Sequence, residues 1–238
     1  MIISAIILSN TKDSSYFEMT NRCIDTLLQS SAEHTFQVLL YESNQQAAEQ
    51  GYTYKQTEVT TVVPQEPFNF NRFYNLGLAQ CKGDHVWLLN NDLVFTPGST
   101  DEMLKAFAAD PELLSASPWE PETHKDHKDS SRILYGYTIA RYVCGWAVFV
   151  NKRIFDIIGP YDERFIFWYQ DNDYAENLKL HGLKHGLVRD SVVQHLESVS
   201  HKTIPRGKAH DFKQGMKQIF IDKWKKQQNQ PKQSASLF

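Results

Sequence analysis

The chain has 238 residues, 41% hydrophobic and 22% charged, with a formal net charge of −3. These are the proportions of an ordinary globular protein, long enough for one large domain or two small ones. No apolar run approaches the roughly 20 residues of a membrane span. The apolar start lacks a basic n-region and a small-residue cleavage site, which excludes a signal peptide. Cys23, Cys81 and Cys144 are too widely spaced for a disulfide framework or a zinc site and point to a reducing cytoplasm.

Residues 2–8 are β-branched and apolar, as a central strand of a parallel sheet should be, and residues 9–13 follow as a polar loop. Residues 19–28 predict a helix, with Cys23, Ile24, Leu27 and Leu28 at helical spacing. A second strand at 36–41 ends in Glu42-Ser43-Asn44. A third, at 59–63, is stopped by Pro64 and Pro67. Residues 71–81 read as a helix with Phe73, Leu76, Leu78 and Ala79 on its apolar side. Strand four, Val86 to Leu89, is cut off by Asn90-Asn91-Asp92, after which 93–95 resume the apolar character and Thr96-Pro97-Gly98 makes a turn.

Alternation of strand and helix indicates a parallel sheet. Its strand ends carry polar clusters at 9–13, 42–44 and 90–92, which then lie along one edge and converge on one ligand. A carboxylate flanked by amides suits a hard divalent cation and the phosphates it carries, although a plain turn also favours Asn and Asp. Neither GxGxxG nor GxxxxGK[ST] occurs, so a nicotinamide-type site and a P-loop are disfavoured.

The second half begins with a helix at 100–109, for which Thr100 is the expected N-cap and Asp101 and Glu102 fill the first turn. A strand at 114–117 precedes a polar stretch, 118–131, read as a mobile loop with His124 and His127 exposed; metal ligation by them is the lesser reading. Strand 143–150 contains Gly145, which implies close approach of a ligand or another backbone. A short helix at 151–158 and a turn at 159–162 lead to a helix from Asp171 to about 182, where Asp171 is either an N-cap or a working carboxylate. Strands at 185–188 and 191–195 follow. Residues 201–238 hold nine Lys or Arg against two acids, a net +7 against −10 for the first 200 residues. Such an end meets an anionic partner or solubilises the chain.

The order Asn90-Asn91-Asp92, Cys144-Gly145-Trp146, Gly159-Pro160-Tyr161-Asp162-Glu163-Arg164-Phe165, Tyr169-Gln170-Asp171-Asn172-Asp173 and Val193-Gln194-His195 resembles the family 2 glycosyltransferases of GT-A fold. The likeness covers about residues 1–226. With Phe68 to Gly77 ahead of the triplet, it is most similar to the enzymes of bacteria and tailed phages. The resemblance implies an α/β GT-A catalytic domain over 1–200 and a basic helical extension over 201–238. It implies that Asp92 and His195 hold Mn²⁺ or Mg²⁺, that Asp171 is the catalytic base, and that Ser9, Glu42, Asn75, Asn90 and Asn91 contact a nucleotide-sugar donor. The implied reaction is inverting sugar transfer to an acceptor hydroxyl of a glycan, or of a modified base in DNA reached through the basic end. Gln170 and Asn177 stand where the family has an acid and an arginine, and the triplet keeps one carboxylate. A non-catalytic nucleotide-sugar binder is therefore the rival class; a nucleotidyltransferase lacks the Gly-rich loop.

Overall fold

The computed structural model describes residues 1–196 and 206–228. Its centre is a sheet built from β1 (Ile2–Ser9), β2 (Thr35–Glu42), β3 (Val59–Val62), β4 (His85–Asn90), β5 (Leu93–Phe95), β6 (Leu113–Trp119), β7 (Ile133–Tyr135), β8 (Ala147–Asn151) and β9 (Lys184–His195). The spatial order is β3-β2-β1-β4-β8-β6-β9-β5, with β7 also on β9. β1 to β4 are mutually parallel, and β8 runs antiparallel between β4 and β6.

Strand periodicity sorts the side chains into two cores. Ile3, Ala5, Ile7, Trp87, Leu89 and Phe149 face one layer, with α1 (Ser14–Leu28) and α3 (Ser99–Ala109). Ile6, Leu8, Val86, Leu88, Val148 and Val150 face the other, with α2 (Phe70–Leu78) and α5 (Gln170–Leu180). The central strands are apolar throughout because both faces are covered. A short helix, α4 (Ile154–Ile158), follows β8.

Several local expectations need correction. α1 starts at Ser14, not at residue 19, because Asp13 Oδ1 accepts from the Ser15 and Tyr16 amides at 2.9 and 3.3 Å. Thr100 is not the cap of α3. Gly98, at φ +80°, holds that place, and the Thr100 hydroxyl bonds Ser30 Oγ and the Trp87 indole N–H inside the core. Nor is His124 exposed. It is fully buried, its Nδ1 accepting from the Glu120 amide at 2.8 Å, which leaves Nε2–H to face the Ala140 carbonyl. That tautomer anchors the 118–131 loop. His127 is half-buried, its Nε2 3.0 Å from the Arg141 carbonyl. β7 is too short to read from pattern, and β9 is one strand where two were expected.

The chain's last described element is α6 (Arg206–Gln228). Lys223 Nζ lies 3.1 Å from Asp162 and 2.8 Å from Asp173, and the Trp224 indole N–H donates to Asp173 at 2.9 Å. Phe220 packs on Phe165 and Tyr169, and Phe212 on Trp168. Of the basic residues counted above, Lys202 and Lys232 lie outside the described residues, and no side-chain placement is described for Arg206, Lys208 or Lys226. Among the described residues no helix is long and apolar enough to cross a membrane.

Candidate active site

A cleft of about 910 Å³ opens at the carboxyl ends of β1 and β4. Ser9, Asn90, Asn91, Asp92, Asp171 and His195 all line it. Six of the eight residues singled out from the sequence thus meet on one surface, and Glu42 and Asn75 do not.

The ladder between β5 and β9 brings Asp92 to His195. Leu93 stands opposite His195, and the Leu196 amide donates to the Asp92 carbonyl at 2.9 Å. Asp92 is buried, and its Oδ1 lies 3.3 Å from His195 Nε2. Both atoms are sealed from solvent and neither makes a hydrogen bond. The His195 ring is held by stacking on Trp146, centroids 5.0 Å apart and planes 15° from parallel. Two buried lone-pair atoms at this distance repel unless a proton or a cation lies between them. One oxygen and one nitrogen fit Mn²⁺ or Mg²⁺ as part of a shell. Among the described residues no cluster of three or more His, Cys, Asp and Glu forms a closed site. A cation held here keeps positions open for phosphate oxygens and water.

The amides beside Asp92 have separate tasks. Asn91 Nδ2 donates to Thr20 Oγ1 at 2.8 Å and to Ser9 Oγ at 3.3 Å, tying the end of β4 to β1 and α1. The backbone N–H of Asn90 donates to the Trp146 carbonyl at 2.9 Å, tying the end of β4 to the turn that carries Gly145; β8 begins only at Ala147, so the strand expected over 143–150 is shorter at its start. Glu42 does not line the cleft. It is buried beneath it, accepting from the Thr11 amide and hydroxyl at 3.0 and 2.7 Å and from the Asn44 amide at 2.7 Å. Asn75 is also away from the cleft. It donates to the Tyr161 carbonyl at 2.9 Å and accepts from the Tyr161 amide at 2.9 Å, bracing the 159–165 turn.

Asp171 enters from the first turn of α5. The N-cap position belongs to Tyr169, at φ +67°, so the cap expectation for Asp171 is not met. A non-glycine residue in the left-handed region is strained, and such strain gathers at functional sites. Gly145 explains how the carboxylate fits: a Cβ there would meet Asp171 Cβ at 2.9 Å and Oδ2 at 3.1 Å. The close approach foreseen at Gly145 is therefore that of the Asp171 side chain. Burial raises the Asp171 carboxyl above its ordinary range, against the opposing pull of the Asn172 amide, 2.8 Å from Oδ1.

Behind Asp171, a buried chain links α5 to the sheet. The Tyr174 hydroxyl donates to Ser115 Oγ at 2.7 Å, and Ser115 Oγ lies 2.7 Å from His185 Nδ1. His185 Nε2 faces the Tyr142 carbonyl at 3.1 Å and Ser117 Oγ at 3.2 Å. Ser117 Oγ in turn accepts from the Cys144 amide, next to Gly145. The sequence reading missed this chain, the Trp146 shelf under His195 and the aromatic run at 167–169. Only the aromatic density of that run was visible beforehand.

The chain has the GT-A fold, which it shares with solved glycosyltransferases. One solved structure with this fold is the mannosyltransferase PcManGT from Pyrobaculum calidifontis, in complex with GDP-Man and Mn²⁺. It is 12% identical, with a TM-score of 0.63, over 83% of this chain and 57% of that one. Another is GalNAc-T7 with UDP, GalNAc and Mn²⁺, 11% identical with a TM-score of 0.63, over 86% of this chain and 45% of that one. The chain thus spans about half the length of the solved structures it matches. No protein-family model matches it, and no curated protein does.

Proposed function

We propose that the chain is a metal-assisted glycosyltransferase that moves a sugar, with inversion, from a nucleotide-diphosphate donor to an acceptor hydroxyl. The observation that carries this reading is the approach of Asp92 Oδ1 and His195 Nε2 to 3.3 Å, both buried and neither hydrogen-bonded, in the same cleft as Asp171. The two solved structures of this fold support it, since each is a complex with a nucleotide or nucleotide-sugar together with Mn²⁺.

In this reading Asp92 and His195 hold Mn²⁺ or Mg²⁺, which when bound neutralises charge on the departing diphosphate. Ser9, Asn90 and Asn91 shape the donor side. Glu42 acts one layer down by fixing the Thr11 loop, and Asn75 by fixing the 159–165 turn. Asp171 takes the acceptor hydroxyl's proton as its oxygen bonds to the anomeric carbon. The bond from that carbon to the diphosphate oxygen breaks, and its electron pair leaves with the nucleoside diphosphate. Desolvation makes Asp171 a stronger base than a carboxylate in water.

A thermal-shift screen of UDP, GDP and their hexose conjugates, with and without Mn²⁺, tests the donor site. Binding to the folded state raises the melting temperature by mass action. At least one nucleotide is expected to stabilise the wild type only with Mn²⁺, and Asp92→Asn is expected to abolish the shift. A wild type indifferent to every nucleotide overturns the reading.

A further inference from the structure

The backbone is strained two residues before Asp171, where Tyr169 stands at φ +67°. A bulky side chain rarely adopts this conformation, and it persists only where the surroundings enforce it. The turn fixes where α5 begins. The Tyr169 carbonyl accepts from the Asp173 amide at 2.9 Å, which places Asp171 in the first turn of the helix. There Asp171 lies so close to Gly145 that a Cβ on the glycine would come within 2.9 Å of it. A fit this tight does not survive a shift of the turn that precedes it.

The contact that bears on Tyr169 comes from α6. Met216, Phe220, Lys223 and Trp224 stand at i, i+4, i+7 and i+8 of that helix and so share one face. Met216 and Trp224 are buried, and Lys223 reaches both Asp162 and Asp173. The Phe220 ring lies between these anchors. It packs on Tyr169 with centroids 5.5 Å apart and planes at 33°, on the fully buried Phe165 at 6.5 Å, and on Trp224 at 6.4 Å. The helix is thus fastened at several points, and Phe220 is the part of it laid against the strained residue.

We propose that Phe220 is a positioning residue of the transfer reaction: its ring, brought by α6, holds Tyr169 in the left-handed turn that aims Asp171 at the cleft. This rests on the glycosyltransferase reading and on Asp171 as its base. Phe220 is not among the residues lining the cleft, so it acts through Tyr169 and its effect falls on the transfer step. A displaced base slows that step even while the donor stays bound, and a displacement of about 1 Å costs up to about a hundredfold.

The test uses the full chain with Mn²⁺ and UDP- or GDP-hexose, and reads nucleoside diphosphate release together with the melting temperature. Phe220→Ala is expected to lower kcat by about 10–100-fold with the KM for the donor within about twofold. Phe220→Tyr keeps the ring and is expected to keep kcat. Phe220→Leu fills most of the space without a ring; it is expected to fall between the two, and it serves if the alanine protein does not fold. Asp173→Ala loosens the same helix but leaves Phe220 on Tyr169, and is expected to melt lower with kcat kept. Asp171→Asn placed in the Phe220→Ala protein is expected to be no slower than Asp171→Asn alone, because a carboxylate already out of place has little left to lose; independent effects would multiply. Multiplying losses, a wild-type kcat in Phe220→Ala, a loss confined to KM or to melting temperature, or Phe220→Tyr as slow as Phe220→Ala overturns the inference. A wild type that releases no diphosphate from either donor overturns the glycosyltransferase reading and the role of Phe220 with it; once the wild type turns over, these outcomes bear on Phe220 alone.

Discussion

The cleft wall and the seam between α5 and α6 each hold an aspartate from the same turn of one helix; burial raises both carboxyls, but the chain supplies side-chain partners to one and none to the other. Asp173 is saturated: Lys223 Nζ and the Trp224 indole N–H meet its two oxygens at 2.8 and 2.9 Å. Asp171, two residues earlier, is half-buried and has only backbone amides, its own and that of Asn172, with a bare Gly145 beside it. A carboxylate with all its partners supplied by the chain is a structural joint. One desolvated and left short of partners is available for chemistry. Asp162 belongs to the joint as well. Burial works to raise its carboxyl, but Arg164 and Lys223 outweigh that and hold it below the ordinary range.

Substitutions at the two aspartates should separate activity from stability. Asp171→Asn is expected to lower sugar transfer by about 10²–10⁴-fold, the usual worth of a positioned general base. It should not destabilise the fold. Because the folded pKa of Asp171 is raised, the ionised form is disfavoured in the native state, and this cost is fully present once pH exceeds the folded value. Asp171→Asn removes it, so the variant should melt no lower than the wild type at neutral pH. Asp173→Ala should do the reverse. It takes one of two carboxylates from Lys223, which keeps Asp162, and leaves the buried Trp224 indole N–H without its acceptor, at a cost of about 1–3 kcal/mol measurable by urea denaturation. An Asp173→Ala protein that loses activity but not stability would erase the difference between the two aspartates.

The donor side offers a smaller, ligand-dependent effect. At a hundredfold excess over Kd, nucleotide with Mn²⁺ should raise the wild-type melting temperature by about 5–10 °C. His195→Ala should lose this shift, and EDTA should remove it from the wild type. A His195→Ala protein with an unchanged shift would take the histidine out of the metal site.

The smallest effects belong to the buried chain behind Asp171. Ser115→Ala leaves the Tyr174 hydroxyl and His185 Nδ1 without their shared partner, at a cost of about 1–3 kcal/mol. Burial lowers the His185 pKa to about 4, with the Tyr142 carbonyl opposing. An unfolded imidazole titrates near 6.5. As pH falls from about 6.5 towards about 4, the unfolded chain takes up the proton first, and stability declines across that window. His185→Phe should flatten this slope; a slope as steep as the wild type's would assign it to other groups.

The sequence carried the site unevenly. The Asn90-Asn91-Asp92 triplet was legible because it breaks an apolar strand, and its place at a strand end is where the cleft opens. His195 was reached through family order, since it meets Asp92 by pairing of two strands about a hundred residues apart. No local pattern reveals such pairing. The same limit hid the fit of Asp171 against Gly145 and the anchoring of Asp173 to α6. Polar residues were misjudged where a hydroxyl or imidazole finds a partner inside. Thr100 read as a helix cap and His124 as an exposed group, yet Ser30, Trp87 and the Glu120 amide satisfy them in the core. Asn75 was placed at the donor by motif, whereas its bonds go to the 159–165 turn.

The central claim is that Asp171 takes a proton in a sugar transfer whose leaving group departs beside Asp92 and His195. It is tested most directly by measuring nucleoside diphosphate release from UDP- and GDP-hexoses with Mn²⁺, for wild type and Asp171→Asn side by side, with saccharide acceptors present. Turnover by the wild type on one donor is expected, with loss of about a hundredfold or more in Asp171→Asn while donor binding stays intact. Equal rates for the two proteins, or no release by either from a donor that demonstrably binds, would contradict it.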